Sequence, residues 1–329
     1  MAIDSSLALE RSDATLRYWI SQPPAPTTDP TLVLLHGATL DHHAWAPQVA
    51  ALQDRFAIVT PDLRGHGEST GRFDFTPAVD DIEALLEVLP ADQVVLVGLS
   101  LGGNIAQELA RRNNPRVRAL VIADATCNTA ARHPLEALTG VTALHVQAAF
   151  DGPAFAQRAA RATATDPQVQ QYALAANRHR SHHETIGILA SLLLSALRPD
   201  PAFRLAVPTL LVRGEFDTIG DIARGMRAWA RRETLVEYAE IPGAGHASNL
   251  DNPEAFTSVL EAFLRRVFPL GSGAPAGPAS AEVEARAERL YARYGSRPWQ
   301  LLPEQTREHF RGLVADGIDG TGRPLRETG

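Results

Sequence analysis

The stretch Val94-Val95-Leu96-Val97-Gly98-Leu99-Ser100-Leu101-Gly102-Gly103 decides the fold. Val94 to Val97 is a short unbroken apolar run, the pattern of a strand buried on both faces. The helical pattern Asn104 to Arg112 follows it. A Gly-x-Ser-x-Gly between such a strand and such a helix is a turn so tight that the backbone at the serine is strained. Residues two before and two after must then lack bulk, which Gly98 and Gly102 satisfy. The strain lifts the hydroxyl of Ser100 clear of the carboxyl edge of the sheet, and the helix N-terminus beneath it favours negative charge and leaves amide N–H groups free. The competing reading is an ordinary glycine-rich turn with Ser100 as a helix N-cap.

Outward from this point the chain alternates strand and helix. Leu7–Glu10 and Thr15–Ile20 read as a hairpin, and Thr31–Leu35, Phe56–Thr60 and Ala119–Ala123 as strands. Asp41–Asp54 reads as a helix, and so does Pro77–Leu89, with Thr76 as its N-cap and Pro77 at its first position. From about Ala130 to Leu197 the patterns are helical, and alternation resumes with Thr209–Val212, Ile222–Arg231, Val236–Ile241 and Pro253–Phe268. This predicts an α/β fold with a mostly parallel sheet, helices on both faces and a helical lid inserted at one edge. The expected organisation is an α/β core at 1–129 and 201–269, a lid at 130–200, and a linker with a helical extension at 270–329. The linker is the Gly/Pro/Ala/Ser run Leu270–Ser280, followed by amphipathic helices at Glu282–Tyr294 and Pro303–Ala315 and a tail read as disordered. The extension either packs back on the core or contacts another chain as a homo-oligomer.

Three further segments carry chemistry. Leu35-His36-Gly37-Ala38 follows a buried strand, and the amide N–H of Ala38 can join that of Leu101 as an oxyanion hole. His36 reads as structural, holding that loop. Ile241-Pro242-Gly243-Ala244-Gly245-His246 delivers a histidine on a glycine-rich loop after a late strand, where a general base belongs. Val212-Arg213-Gly214-Glu215-Phe216-Asp217 places Asp217 just past another strand, where its carboxylate can orient that imidazole. Asp124, at the end of Val121-Ile122-Ala123-Asp124, is the alternative acid, and Glu215 is third.

The order Ser100, Asp217, His246 resembles that of the α/β-hydrolase superfamily, and the resemblance runs from Leu32 to Phe268. It includes Pro61-Asp62-Leu63-Arg64-Gly65-His66-Gly67-Glu68-Ser69, the loop after the second parallel strand. Within the superfamily the chain looks most like the small lidded esterases, enol-lactonases, cofactor-free haloperoxidases and carbon–carbon bond hydrolases. Serine at position 100 argues against the haloalkane dehalogenases and epoxide hydrolases, which carry aspartate there. The resemblance implies the fold, the triad and the oxyanion hole and does not fix the substrate; the expectation is cleavage of a small-molecule ester or lactone through an acyl-enzyme, with no metal and no organic cofactor. A carbon–carbon bond hydrolase of a vinylogous diketone would use the same triad. A non-catalytic hydrolase-like binding protein would need a broken triad, and here each member is in place.

Composition narrows the alternatives. The chain of 329 residues carries 31 Arg plus Lys against 38 Asp plus Glu, a net charge of −7, which speaks against a nucleic-acid partner. No lysine occurs, so a lysine Schiff base and a P-loop lysine are excluded. A single cysteine, Cys127, excludes a disulfide framework. The N-terminus shows no secretory pattern and no apolar run is long enough to span a bilayer, so the expectation is a cytoplasmic protein without a membrane partner. His179, His182 and His183 could share one helical face as metal ligands or serve a substrate carboxylate. The neighbours His42 and His43 read as pocket rim and solvent.

Overall fold

The computed structural model describes residues 6–24, 27, 29–130, 142, 152–196, 198–269, 281–292, 299–301, 307 and 311. The expected linker, nearly all of the second terminal helix, the tail and most of the lid's first twenty residues lie outside the described residues.

The strands are β1 (Leu7–Glu10), β2 (Thr15–Ser21), β3 (Thr31–Leu35), β4 (Ile58–Pro61), β5 (Val94–Leu99), β6 (Val117–Ala123), β7 (Thr209–Gly214) and β8 (Val236–Ile241). They form one eight-stranded sheet in the order β1-β2-β4-β3-β5-β6-β7-β8. β2 runs antiparallel to β1 and to β4, and all other neighbours are parallel. The central strands are apolar throughout because both faces are covered. Val33, Leu35, Leu96, Leu120, Ile122 and Leu211 point into one core. Leu32, Leu34, Val95, Val97, Val121 and Val212 point into the other. This period-two split of an unbroken apolar run is what a doubly covered parallel sheet demands.

Helices α1 (Ala46–Leu52), α2 (Phe75–Val88), α3 (Leu101–Arg111), α7 (Ile222–Arg232) and α9 (Pro253–Val267) follow strands, and a short α8 (Ser248–Asp251) precedes α9. Between β6 and β7 the described chain is helical, with α4 (Gly152–Thr163), α5 (Pro167–Asn177), α6 (His182–Ser191) and a π turn at Leu192–Ala196. Beyond the core, α10 spans Ala281–Tyr291, and its Glu284 accepts from Trp299 Nε1 at 2.9 Å. None of the described helices is long and apolar enough to cross a membrane.

Two expectations shift. α2 begins at Phe75 with Asp74, not Thr76, at the N-cap position, so Pro77 is its third residue. A proline in the first turn lacks only an N–H that has no intrahelical partner, so the helix can start ahead of it. His179 lies between α5 and α6, whose N-cap is Ser181, so the three histidines do not share one helical face.

Glycine spacing gives the fold a sharp test. A Cβ on Gly102 would strike the carbonyl of Leu35, whereas one on Gly225, inside α7, would meet nothing within 4 Å. Gly102→Val is expected to yield no folded protein. Gly225→Ala is expected to raise stability by roughly 0.5–1 kcal/mol in urea denaturation, because alanine loses less backbone entropy in a helix.

Candidate active site

The chain leaves β3 towards β4 on one side and returns to β5 on the other. In an open parallel sheet such a reversal opens a crevice at the carboxyl ends of the two strands. Register pairs Leu35 with Gly98, so the loop carrying Ala38 and the turn carrying Ser100 start side by side.

Ser100 has φ 49° and ψ −113°, a backbone that a non-glycine residue holds only under constraint. The constraint is close packing. A Cβ on Gly98 would overlap the backbone of Gly102, and one on Gly102 would overlap Leu35. The Ser100 N–H donates to Ala123 O at 2.8 Å, and its side chain makes no capping bond to α3. The turn is therefore held by backbone contacts and the hydroxyl is left over. Leu101 opens α3, so its N–H belongs to the first turn, which has no intrahelical acceptor.

His36 fixes the neighbouring loop. Leu63 N–H donates to its Nε2 at 3.0 Å, so the ring proton lies on Nδ1, which donates to Gly37 O at 2.8 Å. Burial holds its pKa below the usual histidine value against the pull of the Asp62 charge. The ring is a neutral brace between the loops after β3 and β4.

Asp217 and His246 meet. Asp217 Oδ2 accepts from His246 Nδ1 at 3.0 Å, and Oδ1 accepts from Ile219 N–H at 2.9 Å. The Nδ1 proton faces the carboxylate, which leaves Nε2 with a free lone pair. Burial alone would lower the His246 pKa, but the Asp217 hydrogen bond and charge, with the Asp124 charge behind them, outweigh it and raise the pKa. Ser100 follows β5 and His246 follows β8, and no hydrogen bond joins the two among the described residues.

Asp124 sits behind this pair and not on the imidazole. Its Oδ1 accepts from Gly214 N–H at 2.7 Å and its Oδ2 from Ser248 Oγ at 2.5 Å. It is fully buried, with φ 47°. Burial, aided by the Asp217 charge, pushes its pKa up to about 7 against the pull of His246. Glu215 is elsewhere again, accepting from Gly243 N–H at 2.9 Å.

Residues that sequence reading did not single out tie the insert to these loops. Asp251 accepts from Gly245 N–H at 2.7 Å, Thr165 N–H at 2.8 Å and Asp166 N–H at 3.0 Å. Arg180 donates from Nε to Gly65 O at 3.0 Å and from Nη1 to Thr39 O at 3.2 Å. Asp251 lies five residues past His246, and Arg180 stands in the cation-rich run Arg178-His179-Arg180. Neither position carries a motif.

Among the described residues, Asp41, His42 and His43 bring metal-ligand atoms within 4.8 Å of one another. The three side chains are already hydrogen-bonded. His42 Nδ1 bonds Asp62 Oδ1 at 3.0 Å, His43 Nδ1 bonds Asp41 Oδ1 at 3.2 Å, and Tyr172 OH donates to that same oxygen at 2.8 Å. The group is a hydrogen-bonded corner, with the His42 ring stacked on Trp19 at 3.4 Å.

Fold and site together define a doubly wound α/β protein with a strained serine turn and a buried histidine–aspartate pair at one edge of its sheet. The chain belongs to the alpha/beta hydrolase family, whose model matches residues 32–259. It is 26% identical over 271 residues to 3-oxoadipate enol-lactonase 1 of Acinetobacter baylyi, covering 80% of this chain and 98% of that protein. It is 27% identical over 261 residues to the pimeloyl-[acyl-carrier protein] methyl ester esterase of Nitrosospira multiformis, covering 72% and 95%. Among solved structures it resembles a thermophilic esterase from Thermogutta terrifontis, with 27% identity, a TM-score of 0.66 and coverage of 80% and 98%.

The buried Asp124 predicts a pH dependence of stability. Its pKa in the folded protein, about 7, exceeds the roughly 3.9 of an unfolded chain. Between those values the folded state keeps a proton that the unfolded state releases, so its contribution to stability is lost as pH rises through the window. Urea denaturation of wild type and Asp124→Asn from pH 4 to 8 should show wild type losing stability relative to the variant, by up to about 1 kcal/mol per pH unit. Parallel curves would mean that Asp124 ionises normally.

Proposed function

We propose that the protein is a serine hydrolase that cleaves small carboxylic esters or lactones through an acyl-enzyme. The observation that carries the reading is the His246–Asp217 hydrogen bond at the same sheet edge as the strained Ser100 turn. The two relatives named as an enol-lactonase and a methyl ester esterase support this choice of bond, since both names describe acyl–oxygen cleavage.

The steps follow from the atoms. His246 Nε2 takes the proton of Ser100 Oγ as that oxygen bonds to the acyl carbon. The carbonyl π pair moves onto oxygen, and the N–H groups of Leu101 and Ala38 hold the resulting oxyanion. Asp217 stabilises the imidazolium across the Nδ1 bond without taking its proton. His246 then protonates the leaving alkoxide as the acyl–oxygen bond breaks. For a lactone the leaving alkoxide stays attached to the acyl group. Water, deprotonated by the same Nε2, attacks the acyl-enzyme and returns the proton to Ser100. Asp124 pins the acid and histidine loops to each other, through Gly214 and Ser248, and contributes charge only from behind.

The test is labelling and turnover. Wild type should react with a fluorophosphonate at Ser100, and Ser100→Ala should lose on the order of 10⁶ in kcat on p-nitrophenyl esters. Near-native turnover in that variant would place the nucleophile elsewhere. Asp217→Asn should lose on the order of 10⁴, because the histidine is left in the wrong tautomer. Asp124→Asn should lose far less, and the reverse ranking would move the acid role to Asp124.

A further inference from the structure

The helical insert and Thr39 line a half-open cavity of about 330 Å³, within the size range of small-molecule sites. Two of its wall residues adjoin the loops of the proposed chemistry. Thr39 is next to Ala38 in the chain, and the carbonyl of Thr163 accepts from the N–H of Ala247, the residue after His246, at 2.6 Å. The cavity wall is therefore continuous with the loop after β3 at Thr39 and joined to the histidine loop through Thr163.

The wall has one sign of charge. Phe155, Leu174 and several alanines make it largely apolar, and among the described residues Arg178 and Arg180 are its charged residues and no Asp or Glu lines it. Arg180 spends Nε and Nη1 on the neutral carbonyls of Gly65, Thr39 and Ala176. Among the described residues Nη2 has no hydrogen-bond acceptor and no carboxylate forms an ion pair with the guanidinium. Asp41, Asp62 and Glu184 act on it only from a distance, and burial pulls its pKa below the ordinary arginine value. His182, on the same wall, has a buried Nε2 with no partner, its ring set edge-on to Phe155 at 5.6 Å. A desolvated cation bonded only to carbonyls and an unpaired buried ring nitrogen are both costly, and one group relieves both: a carboxylate, which accepts from each.

We infer that this cavity is the subsite for a free carboxylate, so that the esters or lactones cleaved at Ser100 carry a second, unesterified acid group. The link to catalysis rests on the serine-hydrolase reading; the binding of the carboxylate does not. Arg180 and His182 receive the anion, and the apolar wall takes the short chain between it and the scissile bond.

The experiment has a binding arm and a kinetic arm, both on the full chain. By titration calorimetry, Ser100→Ala is expected to bind monomethyl adipate at least tenfold more tightly than dimethyl adipate. In wild type, kcat/KM for mono-p-nitrophenyl adipate should exceed that for p-nitrophenyl hexanoate by a similar factor. Arg180→Gln should bring both ratios close to one. His182→Leu, which breaks no side-chain hydrogen bond among the described residues, should lower them several-fold, and it carries the test should Arg180→Gln fail to fold. Equal treatment of charged and neutral compounds by the unsubstituted cavity, or a preference that survives both substitutions, overturns the proposal. Carboxylate-dependent binding in a protein that neither turns over esters nor reacts with fluorophosphonate upholds the subsite while removing the hydrolase reading.

Discussion

Backbone packing at one turn sets the position of everything else in the site. Gly98, Gly102 and the carbonyl of Leu35 approach so closely that no side chain fits between them. This contact forces φ positive at Ser100 and presses the start of α3 against the end of β3. The same approach brings the N–H groups of two different loops to one edge of the sheet. The energy of the strained serine backbone, of order 1–3 kcal/mol, is held by two cores that bury the sheet on both faces. A looser sheet would let the turn relax, and the hydroxyl would fall back into an ordinary capping position.

The remaining loops are located by carboxylates, each used as a multiple acceptor. Asp124 gathers Gly214 and Ser248, Asp251 gathers Gly245, Thr165 and Asp166, and Asp62 gathers the N–H groups of His42 and Glu68. Each joins segments far apart in the chain, which a glycine-rich loop cannot do unaided. Two of these three stand around the histidine loop. His246 is therefore fixed through its neighbours at positions 245 and 248 as well as through Asp217, and its loop keeps little conformational freedom.

The fold was legible in the sequence wherever a short-range rule applied. The apolar run before Gly98 and the small residues flanking Ser100 are local facts, and the strands and the turn follow from them. The start of α2 was less legible, because Thr76-Pro77 and Asp74-Phe75 both offer a helix start and packing of the buried Phe75 decides between them. The choice between Asp217 and Asp124 depended on which carboxylate faces the imidazole, a matter of loop path that spacing only suggests. Asp251 and Arg180 were not legible at all. Apart from Gly245 for Asp251 and the neighbouring turn at Ala176 and Asn177 for Arg180, their partners are backbone groups 85 and more positions away, and a side chain that bonds distant backbone groups leaves no residue-type pattern in the chain.

Arginine suits the wall of the insert in a way that lysine would not. An ammonium is a point charge that can turn towards any acceptor, and desolvation lowers its pKa readily. A guanidinium is a rigid fork. At Arg180 two of its three nitrogens are taken up by carbonyls from three separate segments, which fixes the plane of the group and ties the insert to the loop after β3. The third nitrogen then points in a direction that the fold has already set. If the cavity takes an anion, the contacts that tie the insert to the loops at Thr39 and Gly65 are also those that aim the remaining donor. An insert that swung away would lose Thr39 and Gly65 together, and with them the orientation of the charge. Recognition of an acid group would therefore be strongest only when the insert is seated over the serine turn.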